Sequence, residues 1–241
     1  MRLLVTRPQP DADTQVEILK ALGHGGLPAP LLEVEFLDFS PLPLSRAQAL
    51  IVTSRNALRA LAAHDQLEAA LQLPLYAVGP ASADFARELG FRVIHQGPGT
   101  ARELLPLIEA DCSRGKGILI HLAGTRLAFD LKSALEDKGF EVEQPALYRT
   151  RTADRFSKEA RSAIGGDSLS GVILMSPMTA QTYVALIAAS NLQEGALRLT
   201  YFCLSNSVAE PLKALGKARV LIAGSPSEDD LLALIGHEAA N

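Results

Sequence analysis

Tryptophan is absent from this chain, cysteine occurs only twice, and aromatic residues make up 5% of it. The two thiols, Cys112 and Cys203, stand far apart and outside any C-x-x-C spacing. That excludes a disulfide framework and a thiolate zinc site, and leaves both as small buried hydrophobes. Positive charge is scarce as well: 23 Lys and Arg against 27 Asp and Glu give a formal net charge of -4. Duplex nucleic acid is therefore an unsuitable partner, because binding it by counterion release needs a basic surface. Hydrophobic runs stop short of the roughly 18 to 20 residues that a membrane span requires. The first residues, Met1-Arg2-Leu3-Leu4-Val5, lead into a strand pattern instead of a signal peptide, so a cytoplasmic location is expected.

Several chemistries are missing too. The turn after the first apolar run, Thr6-Arg7-Pro8-Gln9-Pro10-Asp11, holds prolines and no glycine, which disfavours a nucleotide or flavin site. Gly97-Pro98-Gly99-Thr100-Ala101-Arg102 lacks the third glycine of a dinucleotide fingerprint. No phosphate loop and no G-x-S-x-G elbow occurs. The five histidines, His24, His64, His95, His121 and His237, show no pairing at helical ligand spacing. No cofactor and no metal are expected.

What is present is a 241-residue chain, 48% hydrophobic, long enough for two compact lobes of about 100 to 150 residues each. Short apolar runs at 3–6, 50–53, 75–78, 92–95, 117–121, 171–175, 200–204 and 219–223 have strand length. Helix-start chemistry lies between them. Thr100 with Glu103 and Ser225 with Glu228 have capping-box spacing, and Ser176-Pro177 and Ser225-Pro226 pair an N-cap with proline at N1. This alternation predicts parallel sheets covered by helices on both faces.

The chain also repeats. Residues 3–35 align with 119–151, and Leu50-Ile51-Val52-Thr53-Ser54 resembles Val172-Ile173-Leu174-Met175-Ser176. The segments after each continue to correspond, so the order is A, B-C-D, A′, B′-C′-D′. Two foldings satisfy it: contiguous lobes, or exchanged lobes in which A completes the C-terminal units and A′ the middle ones. Exchange would send the chain between lobes near 33–38 and 147–152, which both read as extended and dotted with charge.

Four strand-to-helix turns are rich in hydroxyls and small residues: Thr53-Ser54-Arg55-Asn56, Gly79-Pro80-Ala81-Ser82, Ser176-Pro177-Met178-Thr179 and Ser205-Asn206-Ser207. Such turns gather at the carboxyl ends of parallel strands, where helix N-termini expose N–H groups able to hold carboxylates. Each serine alone is better explained as an ordinary helix cap, and only together do the turns favour a ligand.

Leu4-Val5-Thr6-Arg7-Pro8, Val52-Thr53-Ser54-Arg55-Asn56-Ala57, Ala77-Val78-Gly79-Pro80-Ala81-Ser82-Ala83 and Leu147-Tyr148-Arg149-Thr150 together resemble the uroporphyrinogen-III synthase family, in order and over the whole chain. The resemblance implies two flavodoxin-like, three-layer α/β lobes joined by a two-strand connector, with the N-terminal unit exchanged. Lobe one would comprise 1–35 plus 153–241, lobe two 39–147, and the connectors 33–38 and 147–152. It implies cyclisation of hydroxymethylbilane with loss of water and inversion of ring D, without a cofactor. The partners implied are that tetrapyrrole and the upstream enzyme making it, for a monomer.

By the same resemblance, Tyr148 would hydrogen-bond the departing hydroxyl. Ser54, Ser82, Ser176 and Ser207 would line the cleft and bind side-chain carboxylates, and Arg7 would offer an anion contact. Two turns depart from the family pattern: His121-Leu122-Ala123-Gly124 stands where many members carry an arginine-glycine pair, and Ser205-Asn206-Ser207 replaces a glycine-proline turn. The alternative function is a non-catalytic bilobal module binding a small anionic metabolite.

Overall fold

The computed structural model describes residues 1–240. Its strands are β1 (Arg2–Val5), β2 (Gly25–Pro28), β3 (Leu32–Phe36), β4 (Ala47–Val52), β5 (Leu75–Ala77) and β6 (Ile94–Gln96). There follow β7 (Ile118–Gly124), β8 (Val142–Glu143), β9 (Ala146–Thr152), β10 (Gly171–Leu174), β11 (Thr200–Cys203) and β12 (Arg219–Ile222). Two compact units result, one of Met1–Glu33 with the chain from Arg151 onward, the other Val34–Thr150.

The first unit holds a five-stranded sheet in the order β12-β11-β10-β1-β2, with every pairing parallel. β10 and β11 are buried along their whole length, as expected of strands covered on both faces, which read as unbroken apolar runs. Side chains alternate between two cores. Leu4, Val172, Leu174, Tyr201 and Cys203 enter one cluster, while Leu3, Val5, Ile173 and Phe202 enter the other.

In the second unit the sheet order is β3-β9-β7-β4-β5-β6, with β8 beside β7. The same alternation holds: Leu50, Val52, Ile118, Ile120 and Leu122 face one core, and Ala49, Ile51, Tyr76 and Leu119 the other. The chain crosses from one unit to the other within β3 and β9. There Arg149 holds Glu35 in a bidentate pair at 2.7 and 2.6 Å, and Leu37 N–H donates to the Leu147 carbonyl.

Helix starts follow the capping chemistry with two shifts. Ser54 caps Arg55–Ala62 and Ser176 caps Pro177–Ser190, with Pro177 in the first turn. Thr100 and Glu103 bond reciprocally, N–H of each to the side chain of the other, at 3.0 and 3.4 Å, but in the turn ahead of the helix, which begins at Leu104 with Glu103 at its N-cap. The box expected at Ser225 and Glu228 forms two residues later. Ser227 Oγ accepts from Asp230 N–H at 3.1 Å, and Asp230 Oδ2 accepts from Ser225 N–H at 2.8 Å. Ser227 and Asp230 have the same i, i+3 spacing, and their helix begins at Glu228, so Ser225 and Pro226 lie outside it.

Candidate active site

Within the unit Val34–Thr150, the segments leaving the carboxyl ends of β4, β5 and β6 meet the end of β7 and the body of β9 around a cleft of about 690 Å³. Thr53, Val78, Thr100, Arg102, His121, Arg126, Phe129 and Tyr148 line it, and no described lining residue is acidic. This is where open parallel sheets bind ligands.

Tyr148 sits on β9 in register with Gly124 of β7. Its ring lies so close over the glycine that a Cβ there would meet Cζ at 2.6 Å and the phenol oxygen at 2.9 Å. The backbone is pinned as well, since Thr125 N–H donates to the Tyr148 carbonyl at 3.0 Å. The phenol is thus half-buried on one ring face and set by its neighbour's lack of a side chain.

His121 is 1% exposed. Its Nδ1 lies 2.9 Å from Gln144 Oε1 and its Nε2 lies 3.3 Å from Thr53 Oγ1. Burial pushes the imidazole below the ordinary histidine range, only partly opposed by the Gln144 bond, so the ring is held neutral. The unfolded chain takes up a proton below its ordinary value of about 6.5 and the folded chain resists it, so stability is full above that pH and falls as pH drops below it. Unfolding by urea at pH 7.5 and pH 5.0 should show that loss, and His121→Gln should flatten this part of the slope.

Arg102 lies over the Phe129 ring at 4.5 Å from the centroid, an arrangement that holds a guanidinium in place while leaving its N–H edge free for carboxylates. Arg126 adds a second cation to the rim.

The residues singled out in the sequence divide between the units. Tyr148 lines the cleft; Ser54 and Ser82 of the same unit are not among its lining residues. Ser54 Oγ accepts from Asn56 N–H at 3.2 Å, and Ser82 is buried in the first turn of Pro80–Leu89, 6% exposed. In the other unit, Ser176 Oγ lies 2.7 Å from Thr179 Oγ1 and accepts from Thr179 N–H. Ser207 pairs its hydroxyl with that of Ser205 at 2.9 Å on an exposed turn. Arg7 is clamped between Asp11 at 3.3 Å and Glu228 at 2.8 Å.

Thr53, His121, Arg102, Arg126 and Phe129 escaped the sequence reading as site residues. Arg102 closes the glycine-rich stretch rejected as a dinucleotide motif, where loop position after a strand was the available signal, whereas His121, which the sequence places at the start of a turn, lies inside β7.

The chain is a parallel α/β protein with a cation-rimmed cleft at the carboxyl ends of its strands, the place where open sheets bind ligands. A family model described as uroporphyrinogen-III synthase HemD matches residues 13–233, and the chain belongs to that family. Its members cyclise hydroxymethylbilane in tetrapyrrole biosynthesis, and this chain is a cyclising lyase of that kind. Among solved structures, the uroporphyrinogen-III synthetase of Helicobacter pylori is 20% identical, with 98% of each chain covered and a TM-score of 0.67. A mutant uroporphyrinogen III synthase of the extremely thermophilic bacterium Thermus thermophilus is 18% identical, covering 100% of this chain and 98% of its own, with a TM-score of 0.55. At such identities these likenesses bear on the fold.

Proposed function

We propose that the cleft of unit Val34–Thr150 binds the reacting end of hydroxymethylbilane and that Tyr148 assists departure of its hydroxyl. The observation carrying this reading is the Tyr148 phenol seated on Gly124 in a cleft rimmed by Arg102 and Arg126. The pyrrole nitrogen lone pair expels the hydroxyl, the C–O electron pair leaves with oxygen, the Tyr148 O–H donates a hydrogen bond to it, and the proton given up by the pyrrole N–H balances the oxygen's departure as water. The azafulvene formed is electrophilic at its exocyclic carbon, and the substituted carbon of ring D attacks it. The spiro intermediate then breaks the bond from that carbon to the ring-C methylene, and the freed azafulvene on ring C is captured by the other α-carbon of ring D, which leaves that ring inverted. Direct closure competes with this path, so holding the chain in the strained geometry is the protein's main contribution.

In this reading Arg102 and Arg126 take side-chain carboxylates. Ser54 and Ser176 act through the helix starts that they cap, where unpaired N–H groups favour anions, and Ser82 and Ser207 belong to the corresponding turns. Arg7, already held by two acids, supports the start of Asp11–Ala21 and offers at most a secondary anion contact. Each unit is read as a flavodoxin-like lobe. The strand order β2-β1-β10-β11-β12 supports this, being 2-1-3-4-5 when numbered within the unit. The lobes would comprise 1–35 with 153–241 and 39–147, linked through 33–38 and 147–152. The protein would work as a cytoplasmic monomer without cofactor, receiving its unstable substrate from the enzyme that makes it.

The test is isomer analysis. Freshly generated hydroxymethylbilane is supplied, and the products are oxidised and separated by chromatography. Type III in excess is expected; type I alone, at the uncatalysed rate, would reject the reading. Arg102→Ala should raise KM roughly three- to tenfold with kcat little changed, because a contact to a carboxylate that takes no part in the reaction is made equally in ground and transition states.

A further inference from the structure

A linear tetrapyrrole presents a pyrrole N–H on every ring besides its acids, so a cleft that binds it needs hydrogen-bond acceptors as well as cations. We propose that Gln144, His121 and Thr53 form a hydrogen-bond chain that fixes Thr53 Oγ1 as an acceptor for a substrate pyrrole N–H. The proposal rests on the substrate reading above and assigns His121 as a positioning residue, acting through Thr53.

The chain can be followed atom by atom. Gln144 Oε1 has lone pairs and no proton, so His121 Nδ1, 2.9 Å away, is the N–H donor. A neutral imidazole protonated at Nδ1 leaves Nε2 bare. Thr53 Oγ1, 3.3 Å from that nitrogen, then commits its single proton to it. Both residues line the cleft, and with its proton turned inward the threonine oxygen has only lone pairs left for a ligand. A carboxylate would be repelled there and an N–H welcomed. Burial holds the imidazole neutral, as the arrangement requires. The charged or titratable groups sharing the cleft are Arg102, Arg126 and Tyr148.

Turning the Gln144 amide over would reverse every link. His121 would carry its proton on Nε2 and donate it to Thr53, whose own hydrogen would then face the cleft and select an anion. The two arrangements are distinguished without any activity measurement. In protein labelled with ¹⁵N at histidine, Nδ1 should be protonated and Nε2 unprotonated at pH 7.5; the opposite tautomer overturns the proposal. A second measurement is calorimetric binding of an octacarboxylate bilane lacking the terminal hydroxyl, which cannot cyclise.

Thr53→Val keeps the shape and loses the acceptor, and should weaken binding roughly three- to tenfold, the equivalent of one hydrogen bond. Thr53→Ser restores the oxygen and should bind as the unsubstituted protein does. If Val, Ser and the parent chain bind alike, the acceptor role fails while the substrate reading stands. If the parent chain binds no bilane at all, the substrate reading fails and takes the ligand of Thr53 with it, whichever tautomer is found.

Discussion

Replacing Tyr148 by phenylalanine should lower production of the type III isomer roughly 10²-fold while leaving the fold intact. General acid assistance contributes about 10²- to 10⁴-fold in enzymes, and the lower end applies here because the pyrrole nitrogen already drives the hydroxyl out. The ring keeps its seat on Gly124, so the urea midpoint should hardly move. Gly124→Ala is the complementary experiment. It retains the phenol, but the new methyl would lie 2.6 Å from Cζ, and the ring is the partner free to yield. Activity should fall with the hydroxyl still present, which separates the position of Tyr148 from its mere existence. Steady-state assays with isomer separation check both variants; a Phe variant of normal turnover would reduce Tyr148 to a packing residue.

The largest effect on stability is expected at Gly117→Ala. Gly117 has a φ of +149°, and an added Cβ would stand 2.6 Å from the Arg46 carbonyl oxygen and 3.2 Å from the Gln48 amide nitrogen. Both neighbours are backbone and cannot swing aside. The turn before β7 is further tied down by Gln48. Its Nε2 donates to the Gly117 carbonyl at 2.6 Å and to the Ser113 carbonyl at 3.1 Å, while its Oε1 accepts from Ser113 N–H. Strain at a left-handed position together with a backbone clash should cost roughly 2 to 4 kcal/mol, read as a lowered urea midpoint with unchanged slope. β7 carries His121 and Gly124, so type III formation should fall along with stability.

The strands were readable because sheets covered on both faces leave unbroken apolar runs such as Val172-Ile173-Leu174 and Leu50-Ile51-Val52. β2 and β8 were not singled out as strands. The first is Gly-Gly-Leu-Pro, whose composition imitates a turn, and the second is only two residues long. Helix starts were legible to within a turn, and the misplaced box at Ser225 shows why: two overlapping serine-acid spacings compete, and the side chains alone choose. The site was less open to sequence reading. Thr53, Arg102, Arg126 and Tyr148 lie in separate segments that the sheet order brings together, while His121 hides within an apolar strand where a single polar residue gives no periodicity. Hydroxyl-rich turns marked the correct ends of strands, yet several of those hydroxyls serve their own helices.

The placement of β1 bears on how the chain matures on the ribosome. Leu3, Leu4 and Val5 are fully buried between β2 and β10, and β10 is synthesised only after the whole segment Val34–Thr150. That intervening segment is continuous and can close as soon as it emerges. The opening residues must wait, sticky and unsheltered, until the last third of the polypeptide arrives. Charged and proline-bearing neighbours such as Arg2, Arg7, Pro8 and Pro10 flank that apolar stretch, in the manner of gatekeepers that discourage premature strand pairing during the delay.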